Sequence, residues 1–447
     1  MAEAAPVLTV PETTDEMARL ARELIPGGTH SNSRLRSPRP LYLARAEGAY
    51  VEDLDGRRYL DCTMGNGAIV LGHGHPEVQE AVRRCLDAGL TTGYESRAAV
   101  EAAALMARLI PDFGKVRFAN TGTEAVLHAI QIARAATGKD DIAKPEGGYH
   151  GWSDLTYVSC WPDLGQAGPA GRPRTLPGTA GLSRHAADTL VVPFNDVVQT
   201  ERLIAENAGR LAAVLVEPVM IDVGYVPADR EYLAMLREAT REHNIILIFD
   251  ELLTGFRVAP GGARELYRIT PDLTLYGKAL SNGYPLAAVE GCGELLDLTL
   301  PAAGGPVSYV GTFNAHSVSV AAAAAALRVL AGEPVARRLG QLGDRLRQHV
   351  SRLSRRTGIP VQCPAGGGHF QPYFTAEPVR DYRSAATTDT ASYRTLHQAA
   401  ADRDVLLAEG ALSHCAVSYA HTDADVDRIA GAFEAALSAL AHETPEI

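Results

Sequence analysis

The sequence predicts an α/β fold: a mostly parallel sheet with helices on both faces. Three observations carry this reading. Short apolar runs recur from about residue 115, at 116–120, 189–194, 213–217, 245–249, 273–276 and 287–290. Segments with helical spacing lie between them, at 124–137, 197–208 and 230–243. Runs that are apolar on both faces suit strands buried on both sides, and interleaved helices supply the cover. Third, the residues able to do chemistry sit where these runs end, and ligands of such sheets bind at the carboxyl ends of the strands.

The remaining elements follow in order. Residues 16–24 read as a helix, stopped by Pro26-Gly27-Gly28. Residues 41–61 alternate around Asp53-Leu54-Asp55-Gly56, a turn signal, and predict a small β-meander. Helical spacing returns at 76–88 and 96–110. Residues 160–188 are rich in Gly, Pro and Ala, and predict a loop of the length that often forms a lid. The alanine-rich 318–331 stretch predicts a helix leaving the large domain. Beyond it, helix 335–353, strands near 360 and 405, and a closing helix 424–441 predict a smaller α+β unit. The expected division is 1–60 as an N-terminal segment and part of the small domain, 61–317 as the large domain, and 318–447 as the C-terminal small domain.

Composition bounds the function. The 447 residues are 46% hydrophobic and 21% charged, enough for a sizeable core. A net charge of −11 with no basic run argues against nucleic acid as a partner. No apolar stretch reaches membrane-spanning length, and Met1-Ala2-Glu3-Ala4 is no signal peptide, so the expected location is cytoplasmic. The six cysteines form no CxxC pair, which points away from a zinc site or a disulfide framework.

Lys278 is one of only four lysines and lies 28 residues after Asp250. Lys115 and Lys139 read as residues of charged turns, and Lys144 as part of a short strand-like stretch. A lysine at the end of an apolar run can form a Schiff base with an aldehyde cofactor. A buried aspartate can keep a pyridine nitrogen protonated, and that pair turns pyridoxal phosphate into an electron sink. The blander reading of Lys278 is a solvated surface charge. For Asp250 the competing readings are a structural ion pair or a magnesium site, although no GxxxxGK[ST] motif is present to hold a metal-bound phosphate.

Four further motifs surround this pair. Asn120-Thr121-Gly122-Thr123-Glu124 reads as a strand end, a turn and a helix start, an anion site or simply a capped helix. Tyr149, in Gly148-Tyr149-His150-Gly151, can stack on a flat heterocycle or belong to the core. Glu217-Pro218 ends another run, and could orient a ligand or cap a turn. Gly311-Thr312 offers a further phosphate donor.

In this order the residues resemble the class III aminotransferases of pyridoxal phosphate fold type I. The likeness is strongest to the branch that holds glutamate-1-semialdehyde aminomutase and β-amino acid aminotransferases. It spans about residues 25–441. It rests also on Pro26-Gly27-Gly28, on Val70 to Pro76, and on the run from Asp250 to Arg257. The resemblance implies a seven-stranded sheet, pyridoxal 5'-phosphate as cofactor, small amine and carbonyl substrates, and a homodimer with shared active sites. It implies that Lys278 carries the cofactor and shuttles the proton, and that Asp250 pairs with the pyridine nitrogen. Tyr149 and Leu252 would cover the two ring faces, with Leu252 where valine is usual. Gly122 and Thr123 would bind the phosphate, Thr312 the phosphate of the neighbouring subunit, and Arg34 a substrate carboxylate.

Three departures bear on substrate. Asn66 stands where the aminomutase has an aromatic residue, Ser413 where it has a glutamate, and Asn314-Ala315-His316 replaces Gly-Asn-Pro. They argue against the aminomutase reaction itself. Together with Asp222, Glu409 and His414, they leave a polyamine or amino-sugar substrate as one reading and irrelevant solvated groups as the other. The expected function is an aminotransferase working by ping-pong chemistry; the alternative is an isomerase or an elimination on an amino sugar. For an epimerase, His150, His316 and Cys415 are the candidate second acids.

Overall fold

The computed structural model describes residues 11–36 and 39–443. Its centre is a seven-stranded sheet. The strands run in the spatial order Lys115–Ala119, Ala287–Gly291, Leu273–Gly277, Ile246–Asp250, Leu211–Val216, Asp141–Pro145 and Thr189–Val192. Ala287–Gly291 pairs antiparallel with both neighbours; the other pairings are parallel. Every residue of Leu211–Val216 and Leu273–Gly277 is buried, which explains why apolar side chains dominate both.

Helices cover both faces. Gly122–Thr137 packs Ala125, Ala129, Ile130 and Ala133 with Leu215, Ile248 and Leu275 in one apolar cluster. Arg230–Glu242 contributes Tyr232, Leu233 and Leu236 to another, with Val214, Val216 and Phe249. The expected helices are present, with ends moved by one to four residues. Ser317–Gly332 is buried along most of its length, and Val335–Thr357 follows it.

The chain ends meet in a second sheet. Leu43–Glu47, Tyr50–Asp53 and Arg58–Asp61 form the expected meander, and Val405–Leu406 adds parallel to Arg58–Asp61. Two details differ from the sequence reading. Lys115 opens a strand rather than lying in a turn, its ammonium paired with Asp297 at 2.6 Å. The strand expected near 360 is Ala365–Gly366, because only a short stretch there pairs with His369–Phe370. Residues 160–183 carry no helix or regular strand, and a 3-10 turn spans Arg184–Asp188. Among the described residues, no single helix is long and apolar enough to cross a membrane.

Candidate active site

The carboxyl edge of the large sheet collects the chemistry. Asp250 ends its strand, Glu217 follows Leu211–Val216, Lys278 follows Leu273–Gly277, and Asn120 follows Lys115–Ala119. Because every strand of the sheet but Ala287–Gly291 runs in the same direction, these ends fall at one edge. There they line a cavity of about 320 Å³ with Gly122, Thr123, Tyr149, Asp222 and Leu252. Seven of the nine residues singled out from the sequence are thus brought together: Lys278, Asp250, Gly122, Thr123, Tyr149, Leu252 and Glu217. Arg34 is exposed and outside this cavity, and exposed Thr312 lines a separate one of about 640 Å³ with Tyr94, Arg117 and Tyr309.

The helix start at Gly122 is built to accept an anion. Thr121 Oγ1 accepts from the Glu124 N–H at 3.2 Å, and Glu124 Oε2 accepts from the Asn120 N–H at 2.7 Å, completing a capping box. As an acceptor, Thr121 keeps its hydroxyl proton free to donate. The first-turn N–H groups of Gly122 and Thr123 have no intrahelical carbonyl to meet, and the helix dipole places partial positive charge there. Gly122 lies close against Leu252: an added Cβ would lie 2.6 Å from Leu252 Cδ1 and push that side chain aside.

Asp250 is the buried carboxylate of the site. Its Oδ2 lies 2.8 Å from His150 Nδ1, and its Oδ1 accepts from the Leu252 N–H at 3.1 Å. Burial pushes the His150 pKa down, so the ring is neutral and Nδ1–H donates to Asp250, leaving Nε2 without a partner. Sequence reasoning missed this pairing; His150 follows Tyr149 directly, but nothing local aims it 100 residues ahead. The arrangement makes Asp250 an oriented acceptor, able to hold a protonated ring nitrogen.

Lys278 sits at the cavity with φ of +47°, a left-handed conformation uncommon for a side-chain-bearing residue. Among the described residues no hydrogen bond holds its Nζ. Lys144, by contrast, is fully buried and donates to the Val158 carbonyl. Glu217 accepts from the N–H groups of Tyr149 and Ile221, each at 3.0 Å, and so pins the aromatic to the strand end. Burial, and then the charges of Asp222 and Asp250, push the Glu217 pKa well above the usual carboxylate range. The Tyr149 ring stacks on Trp161 at 5.6 Å between centroids.

The other polar candidates separate. Glu409 pairs with Arg36 at 2.7 Å and does not line the cavity. Cys415 is buried, its sulfur accepting from the Ala408 N–H, and His316 caps the Ser317–Gly332 helix. None of His150, His316 and Cys415 is among the cavity's lining residues. His414 lies 3.8 Å from Asp222. Among the described residues, no group of three or more His, Cys, Asp or Glu side chains could hold a metal ion. The donor set fits pyridoxal phosphate: free helix-start N–H groups for the phosphate, a buried acceptor for the ring nitrogen, an unpaired lysine and an aromatic wall.

Comparison with known proteins agrees. Residues 32–437 match the family model described as "Aminotransferase class-III". The glutamate-1-semialdehyde 2,1-aminomutase of Methanothermobacter thermautotrophicus is 38% identical over 96% of this chain and 99% of that protein. The crystal structure of an omega-transaminase from Sphaerobacter thermophilus superposes with a TM-score of 0.89 at 35% identity, covering 95% of this chain and 97% of that one. A transaminase solved with pyridoxal phosphate bound superposes with a TM-score of 0.86 at 30% identity, covering 98% of this chain and 99% of that one.

Proposed function

The chain belongs to the class III aminotransferases, enzymes that use pyridoxal phosphate, and from its cavity we propose that it is a transaminase. It would move an amino group from an amine donor to a carbonyl acceptor in two half-reactions. The observation that carries this is the placing of Lys278 and Asp250 on neighbouring strand ends of one cavity, beside the helix start at Gly122. Bound pyridoxal phosphate supplies a carbonyl that captures amines and a ring that withdraws electrons. Each remaining task falls to a residue. Asp250, steadied by His150, holds the proton on the ring nitrogen. The N–H groups of Gly122 and Thr123, with the Thr123 hydroxyl, bind the phosphate. Tyr149 and Leu252 wall the ring, and Glu217 fixes Tyr149. Lys278 Nζ would hold the cofactor through its carbonyl and, as a free amine, would serve as the base that takes up and returns a proton.

We place the protein in the cytoplasm as a homodimer, in which exposed Thr312 reaches the partner's phosphate. Arg34 is then left to meet a substrate carboxylate from outside the cavity. An isomerase is the second reading, favoured by the aminomutase name of the 38%-identical relative. Against it stand Asn66 and Ser413, where that reaction's aromatic and glutamate are expected. The test is the visible absorbance of the holoenzyme titrated with amine donors. Loss of the visible band with a new near-ultraviolet band, reversed by a keto acid, is expected. A band that shifts but never bleaches with any donor overturns the transaminase reading in favour of the isomerase.

A further inference from the structure

Acidic side chains outnumber basic ones in the cavity lining. Three carboxylates line it, Glu217, Asp222 and Asp250, against the single cation Lys278. Two of the three are answered: Asp250 by His150, and Glu217 by two backbone N–H groups. Asp222 is not. Its carboxylate accepts no hydrogen bond among the described residues, and His414 Nδ1 lies 3.8 Å from it. His414 is buried, and the backbone of Asn66 interacts with its ring. Burial pushes its pKa down to about 4, so it brings no charge to offset Asp222 at neutral pH.

Among the described residues, no arginine lines the cavity. Arg257 is wholly buried, and its guanidinium is spent on the carbonyls of Gly67 and Gly367 at 2.7 and 3.0 Å. Arg36 is spent on Glu409, and Arg34 lies outside. Trp161, exposed and stacked on Tyr149, donates its Nε1–H to the Asp222 backbone carbonyl at 3.1 Å, which brings the indole edge to this residue and ties it to the Tyr149 wall. A cavity carboxylate without a hydrogen-bond partner can receive an ammonium group through charge-assisted hydrogen bonds.

We propose that the amine substrate of this enzyme carries a second ammonium group, recognised by the Asp222 carboxylate with His414 and Trp161 beside it. This rests on the reading of Lys278 and Asp250 as the cofactor's partners. Three amines of one chain length separate the possibilities: butylamine, 1,4-diaminobutane and 4-aminobutanoate, whose far ends are neutral, cationic and anionic. The readout is the concentration at which each perturbs the visible band of the holoenzyme, by shift or by bleaching, so turnover is not needed. The diamine is expected to act at a concentration about tenfold below 4-aminobutanoate, as one partly screened charge pair implies. Asp222→Asn is expected to abolish most of its advantage over butylamine, and Asp222→Glu to retain part of it. Preference for 4-aminobutanoate, an unchanged diamine-to-butylamine ratio in Asp222→Asn, or a band that none of the three perturbs overturns the proposal. A holoenzyme with no visible band refutes instead the cofactor reading on which it rests.

Discussion

Glu251→Gln is the substitution that most directly tests how the site is held in place. Glu251 follows Asp250 and is completely buried. Its Oε2 accepts from the Thr254 hydroxyl at 3.0 Å and from the Ala263 N–H, and its Oε1 accepts from the Arg264 N–H at 2.9 Å. Both oxygens therefore face backbone donors that cannot rotate. A glutamine has one oxygen and one NH₂ group, so either orientation sets a donor against a donor. The cost is one buried N–H left unpaired and one charge-assisted hydrogen bond lost, about 2–3 kcal/mol. Burial pushes the Glu251 pKa up to about 7, so the comparison belongs near pH 8, where the carboxylate is ionised. Urea denaturation followed by far-UV circular dichroism should show the variant destabilised by that amount. The turn carrying Leu252 should loosen with it, weakening cofactor binding. A variant as stable as the parent would refute the reasoning that these donors anchor the turn.

Two further outcomes are expected. His421 Nδ1 accepts from the Ser418 N–H at 3.0 Å, and burial holds its pKa down to about 4. The unfolded chain takes up that proton near pH 6.5, so His421 erodes stability as pH falls from about 6.5 towards about 4. Its share of the loss between pH 7 and about 5.5 is about 1 kcal/mol, and His421→Asn should remove that share from urea midpoints at the two pH values. Gly151 has φ of +82°, and a Cβ there would lie 2.5 Å from Thr123 Oγ1. Gly151→Ala should therefore displace the Thr123 hydroxyl and weaken cofactor binding to the apoprotein about tenfold, measured by titration of the visible band.

The parts of this molecule legible in the sequence are those that local chemistry dictates. Six strands announce themselves as short apolar runs; most are buried on both faces, and Lys115–Ala119 is buried at its carboxyl end. Asp141–Pro145 is less legible, since it carries Asp141, Lys144 and Pro145; it enters the sheet because Lys144 finds the Val158 carbonyl. Lys278 and Asp250 stand out because each ends an apolar run. Partners set by tertiary folding were illegible: His150 on Asp250, Arg257 spent on Gly67 and Gly367, and His414 turned towards Asp222. Thr312 and Arg34 belong to recognisable motifs, yet in one chain neither reaches the cavity, because motif spacing carries no information about which side of the molecule a loop faces.

The most direct test of the account is borohydride reduction of the purified holoenzyme, followed by proteolysis and peptide mass measurement. The account predicts a pyridoxyl adduct on Lys278 and on none of Lys115, Lys139 and Lys144, with the visible band lost in Lys278→Ala. An adduct on another lysine, or a visible band that survives Lys278→Ala unchanged, would contradict it.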